Sequence, residues 1–241
     1  KSAPSASTPQ KTTDVPDFAS FKDVQAKKAA FFSYLQPAYD LISAEIRAIR
    51  QQLLDWQMRV EQLSATEQQQ LTELAAFYKV TAANDSDLIV NLLQQIDVLP
   101  EALVLSQAAN ESGWGTSRFA QHGYNFFGQW CFSKGCGFVP SQRNDDANHE
   151  VAKFDSLAAS VRSYHRNINR NARYQSLREL RSQLRQQGKP FNACVLAQGL
   201  EGYSERKQEY VIELRNMMRQ NRQHWRDNQV IDYTQCSVAA H

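Results

Sequence analysis

Glycine is scarce in this chain, and its placement is uneven. There are nine glycines in 241 residues, and six of them (Gly113, Gly115, Gly123, Gly128, Gly135 and Gly137) fall within 25 positions. So little glycine points to a mainly helical protein, and the cluster marks one segment whose backbone must turn unusually. Long apolar runs are also missing: none approaches the ~18 residues that a membrane-spanning helix needs, so no transmembrane segment is expected. Four cysteines are too few for a small disulfide knot in a chain of this length. With 42% hydrophobic and 22% charged residues, the composition also excludes a wholly disordered chain or a collagen.

Net charge is only +2, but it is asymmetric: residues 1–150 sum to −5 and residues 151–241 to +7. The basic half fits either solvated helix faces or an anionic partner. No stacking set of a known module is interleaved with the arginines between Arg162 and Arg185, so no nucleic-acid partner is expected. Glycine spacing does not match a phosphate loop, and no Ser-His-Asp pattern occurs.

Along the chain, residues 1–16 are rich in Ser, Thr, Ala and Pro and read as a disordered tether. Residues 17–82 read as a helical extension. Phe31, Tyr34 and Leu35 share one face, Pro37 is expected to end or start a helix, and Leu41, Ile42, Ile46, Ile49, Leu53, Trp56, Val60 and Leu63 recur near every 3.5 residues. Ser64 and Glu67 have capping-box spacing. Residues 83–225 form the expected main domain, and 226–241 a tail. Asp85 or Ser86 is the expected cap of the next helix, and Pro100 opens the one after it. Phe138–Val139 and Val151–Phe154 are expected to pair as a hairpin around a turn at Asn144 to Asn148. Ser156 caps a helix, another spans 174–186, and Ser204 opens the last.

The chemistry concentrates in LVLSQAANESGWGTSRFAQHGYNFFGQWCF, Leu103 to Phe132. Glu111 ends an apolar helix, with Ala108, Gln107 and Val104 at i−3, i−4 and i−7. Partial desolvation and the negative helix end both favour its protonated form. A glycosidic oxygen leaves only when such an acid protonates it. Trp114, Phe119, Tyr124, Phe126, Phe127, Trp130 and Phe132 could stack on sugars. Composition equally allows a surface glutamate and core aromatics.

The string AANESGWGTSRFAQHGYNFFGQ resembles the signature of the bacterial peptidoglycan N-acetylglucosaminidases of glycoside hydrolase family seventy-three. The resemblance continues through VAKFDSLAASVRSY, NARY and GYSERKQEY, over about residues 84–220. It implies an α+β, mainly helical, lysozyme-like fold with a large helical lobe, a small β lobe and the N-terminal helical extension. It implies hydrolysis of the β-1,4 bond between N-acetylglucosamine and N-acetylmuramic acid in peptidoglycan glycan strands, with no cofactor. Glu111 matches the general acid, and Tyr203 matches an active-site tyrosine. Trp114, Asn125 and Phe127 match residues that shape the cleft floor, and Gln129, Tyr164 and Tyr174 complete the candidate substrate-binding set.

One departure bears on mechanism. The register from Ala152-Lys153-Phe154 places the family's second acid near Ser141 to Arg143, where there is no carboxylate. Glu150 is the candidate replacement, while Asp145 and Asp146 fit turn chemistry. Without a second group, the substrate's 2-acetamido group would assist. The rival readings are a muramidase or lytic transglycosylase of the same architecture, and a non-catalytic wall-binding protein.

Zinc is not expected, because the C-x4-C pair Cys131/Cys136 has no partner pair. Disulfides Cys131–Cys136 and Cys194–Cys236 would fit an oxidising compartment, and free thiols remain the alternative. The expected location is the periplasm or cell envelope, after removal of a signal peptide.

Overall fold

The computed structural model describes residues 15–139, 149–227 and 230–237. The expected turn at Asn144 to Asn148, the Ser141 to Arg143 stretch, Asp145 and Asp146, and nearly all of the expected tether lie outside the described residues.

Helix α1 runs Val24–Met58 without interruption, although Pro37 lies inside it. The expected break does not occur. Proline removes one hydrogen bond and crowds the preceding turn, but both halves of α1 bury apolar side chains in the same core: Phe31, Phe32 and Leu35 before Pro37, and Tyr39, Ile42 and Ile46 after it. Tertiary packing outweighs the local penalty. Leu41, expected on this face, is exposed instead.

Helix α2 (Ala65–Tyr78) starts with the full Ser64/Glu67 capping box. Glu67 also accepts from Arg59 Nη2 at 2.6 Å and Trp56 Nε1 at 3.3 Å, which fastens the end of α1 to the start of α2. Helix α3 (Asp85–Gln95) is capped by Asn84, not by Asp85 or Ser86. The Asn84 side chain accepts from Asp87 N–H at 2.9 Å. This leaves Asp85 and Asp87 in the first turn, where the helix dipole favours them.

Helix α4 (Glu101–Ser112) is buried on nearly every face, and α5 (Arg118–Gly123) follows a tight connection. The β lobe has three short antiparallel strands, β1 (Trp130–Cys131), β2 (Gly137–Phe138) and β3 (Glu150–Ala152), in the order β1-β3-β2. The expected hairpin is therefore one half of a larger sheet. Val151 faces Phe138 on one side and Trp130 on the other. Lys153 and Phe154 lie beyond the strand.

Helices α6 (Leu157–Arg170), α7 (Gln175–Gln186), α8 (Ala193–Leu196) and α9 (Gln208–Gln220) complete the helical lobe. Ser156 caps α6 as expected. Ser204 does not open the last helix. Its carbonyl accepts from Lys207 N–H at 3.1 Å and its hydroxyl from Arg206 N–H at 3.3 Å, so residues 204–207 close into a turn and α9 starts after it. The architecture is mainly helical α+β and lysozyme-like.

Much of the basic charge of α6 and α7 is used internally. Arg162 pairs with Glu45 of α1, Arg185 with buried Asp97, and Arg178 and Arg181 donate to backbone carbonyls. Both disulfides form, Cys131–Cys136 and Cys194–Cys236.

The N-terminal extension shares one hydrophobic core with the rest of the chain. Phe31 contacts Trp114 and Phe126 with ring centroids at 5.5 and 6.1 Å, and Phe32 contacts Trp114 and Trp225 at 5.4 and 4.6 Å. Phe31→Ala should lower the unfolding free energy by about 3–5 kcal/mol, read from urea denaturation followed by circular dichroism. A loss below ~1 kcal/mol would mean that α1 does not share the core.

Candidate active site

Glu111 occupies the last turn of α4, one residue before Ser112 ends it. Gly113 follows in a left-handed conformation, and its N–H with that of Trp114 returns to the helix-end carbonyls. The chain then doubles back over the helix end. Gly115, at φ 75°, approaches buried Phe18 so closely that an added Cβ would lie 2.4 Å from the ring. Gln121 Nε2 donates to Pro16 O at 3.0 Å and Gly115 O at 2.6 Å. The signature turn is therefore clamped by the segment that precedes α1.

The Glu111 carboxyl is half-buried. Burial pushes its pKa above the ordinary carboxylate value, opposed by a hydrogen bond from Tyr210 and by the Arg206 cation. The Glu213 carboxylate pushes it up further. Tyr210 belongs to a polarised chain. Tyr164 Oη donates to Gln107 Oε1, Gln107 Nε2 donates to Tyr210 Oη at 2.9 Å, and Tyr210 Oη donates to the Glu111 carboxylate. Each donor has one acceptor, so the chain has a single direction and holds the carboxyl in place.

Gly128 lies across from the acid. At φ 60° it takes a conformation that disfavours other residues, and a Cβ there would lie 3.3 Å from Glu111 Oε2. Because Gly128 is exposed, this contact leaves the acid open to solvent on that side. Asn125 builds the turn: its Nδ2 donates to Gln129 O at 2.8 Å and Ala152 O at 2.9 Å, and its Oδ1 accepts from Gln129 N–H at 3.0 Å. Phe127 stacks on Tyr164 with centroids 4.2 Å apart.

Several expected substrate contacts are therefore corrected to supports. Asn125 and Phe127 are 1% exposed and Tyr164 is 0% exposed, so a sugar cannot reach their side chains. Gln129 is buried between Ser160 O and the Ser163 hydroxyl. Tyr174 is buried beside Tyr203. Trp114 is turned toward α1, between Phe31 and Phe32 with the Lys28 ammonium 5.2 Å from its ring, rather than forming a cleft floor. In each case the core needed the apolar ring or the buried amide more than the surface did.

Tyr203 joins the cluster, stacked on Tyr210 at 5.6 Å, and its hydroxyl donates to Phe127 O at 2.6 Å. It anchors the backbone of the turn that faces Glu111. Glu150 is buried in β3, and its two oxygens accept from Gly135 N–H at 3.0 Å and Gly137 N–H at 2.8 Å. Glu150 lies with the sulfurs of Cys131 and Cys136 within 4.8 Å. Those sulfurs are bonded to each other and offer no thiolate to a metal.

The candidate site set did not include Gln107, Tyr210 and Arg206. Gln107 stands one turn before Glu111 on an otherwise apolar face, and an amide at that position is a signal that a polar partner will be buried there. Tyr210 and Arg206 lie within the GYSERKQEY stretch, but their approach to Glu111 depends on how the chain from Ser204 into α9 packs against α4. Tyr210→Phe should move the alkaline limb of kcat/KM to higher pH. That limb reports the free enzyme's acid, and the lost bond favours its charged form. Arg206→Gln should move it in the same direction, and a limb that moves down in either variant would contradict this arrangement.

The glucosaminidase family, described as mannosyl-glycoprotein endo-beta-N-acetylglucosaminidase, matches residues 86–223. Protein bax of Escherichia coli (strain K12) is 31% identical over 202 residues, covering 83% of this chain and 72% of its own. No solved structure matches the chain significantly. The matched segment runs from α3 past the end of α9 and holds Glu111, its hydrogen-bond chain and the Gly128 turn, and the chain belongs to the glucosaminidase family.

Proposed function

We propose that the chain is a peptidoglycan hydrolase of glycoside hydrolase family seventy-three, acting in the periplasm or cell envelope. It cleaves the β-1,4 bond that follows N-acetylglucosamine in the glycan strand. The observation that carries this reading is Glu111: a half-buried carboxyl with a raised pKa, held by Tyr210 and faced by a bare glycine. A carboxyl whose pKa is raised and that remains accessible suits protonation of a glycosidic oxygen. The family description names an enzyme acting at N-acetylglucosamine in mannosyl-glycoprotein, and both disulfides suit an oxidising compartment.

In the first step the Glu111 proton passes to the leaving oxygen as the C1–O bond breaks. The 2-acetamido carbonyl oxygen attacks C1 from the opposite face and forms an oxazolinium ring. In the second step Glu111, now a carboxylate, takes a proton from water as the water oxygen bonds to C1 and the ring opens. Substrate assistance is one of the recognised exceptions to the two-carboxylate scheme. It is favoured here because both oxygens of Glu150 already accept backbone hydrogen bonds. Glu150 then acts as the clamp of the β-lobe loop.

Purified protein incubated with peptidoglycan should give new reducing ends on N-acetylglucosamine, detected by mass spectrometry after borohydride reduction. Reducing or anhydro ends on N-acetylmuramic acid would instead assign a muramidase or transglycosylase, and no turnover at any pH would favour the wall-binding reading. Glu111→Gln should lower turnover by about 10³-fold or more. Proton NMR of the first product should show the β-anomer. An α-anomer would mean inversion, and the acetamido route would fall.

A further inference from the structure

Trp130 and Phe132 are 49% and 78% exposed, the most exposed tryptophan and phenylalanine among the described residues. Large aromatic side chains usually bury most of their area, and a rigidly held exposed pair calls for a partner. Trp130 opens β1 and Phe132 follows directly after its end at Cys131.

The buried side of this segment is fastened at three points. Cys131 is bonded to Cys136. Glu150 receives the N–H groups of Gly135 and Gly137, which closes the same loop. Strand β3 pairs with β1 through Trp130↔Val151 and Cys131↔Glu150. His149 braces the Trp130 indole edge to face at 4.6 Å. A loop needing only to cover the core would not need this many restraints to hold its aromatic rings outward.

The pair also follows closely on the turn that faces the acid. A Cβ added at Gly128 would lie 3.3 Å from Glu111 Oε2, and Trp130 follows two residues later. Two residues of extended chain span at most ~7 Å, so the Trp130 backbone lies within about that distance of the glycine that faces Glu111.

We propose that Trp130 and Phe132 form a sugar-stacking platform that binds β-1,4-linked N-acetylhexosamine rings flanking the scissile bond, and that the Cys131–Cys136 disulfide with Glu150 holds it in place. The apolar faces of such rings pack on exposed indole and phenyl faces, while their hydroxyls and acetamido groups stay in water. The proposal rests on the glycan-hydrolase reading for its substrate class. It is tested by binding, so the two fail separately.

The test uses the Glu111→Gln full chain with chitohexaose in calorimetry and with purified peptidoglycan in a sedimentation assay. Adding Trp130→Ala should weaken binding at least tenfold, and Phe132→Ala several-fold, while Trp130→Tyr should retain most of it. Replacing Cys131 and Cys136 together by Ser should weaken binding with circular dichroism unchanged. Binding indifferent to both aromatic truncations, or no binding by the Glu111→Gln chain to either probe, would overturn the platform. Trp130-dependent binding by a wild-type chain without turnover would keep the platform and remove the hydrolase reading.

Discussion

The arrangement depends on keeping one carboxyl partly dry without leaving it unpartnered. Burial alone would make Glu111 a poor anion. Tyr210 counters this by donating to the charged form. Gln107 donates to the Tyr210 hydroxyl from behind, and Gln107 is in turn oriented by Tyr164. Three elements, α4, α6 and α9, therefore have to meet at one amide. Burial pushes Tyr164, Tyr203 and Tyr210 well above the usual tyrosine pKa, which favours their neutral, donating form.

That meeting point also explains why the N-terminal helix is built in. Trp114 has positive φ, which is costly for a bulky residue. The rings of Phe31 and Phe32 cover it, and Phe18 fills the space left open at Gly115. Helix α1 thus supports the turn immediately behind the acid. Its middle reaches the C-terminal segment, where Arg226 joins Asp40 of α1 to Glu101 at the start of α4. Helix α4 is held at both ends by residues distant in the sequence.

The β lobe is stabilised differently. Its strands are two or three residues long, too short to be stable by pairing alone. A disulfide and a buried carboxylate replace the missing hydrogen bonds. The glutamate that sequence position made a candidate for chemistry sits where the loop needed an acceptor for two backbone N–H groups.

Much of this was readable from the residues in order. Sparse glycine implied helices, the Ser64/Glu67 spacing implied a capping box, and an acid at the end of an apolar helix before Gly113 implied a raised pKa. These are local properties, set by neighbours within a turn or two. Pro37 inside α1, Ser204 as a turn residue, and the third strand were not readable, because each reflects packing against distant segments. The same holds within the site. The sequence marked Glu111 as the candidate acid and pointed to the glycine-rich turn facing it. Only the tertiary structure decided that Tyr210 holds the acid, that Asn125, Phe127 and Tyr164 are buried supports, and that Trp130 and Phe132 remain exposed. Burial is a property of the assembled core, and one strand of sequence cannot show which faces of it will be covered.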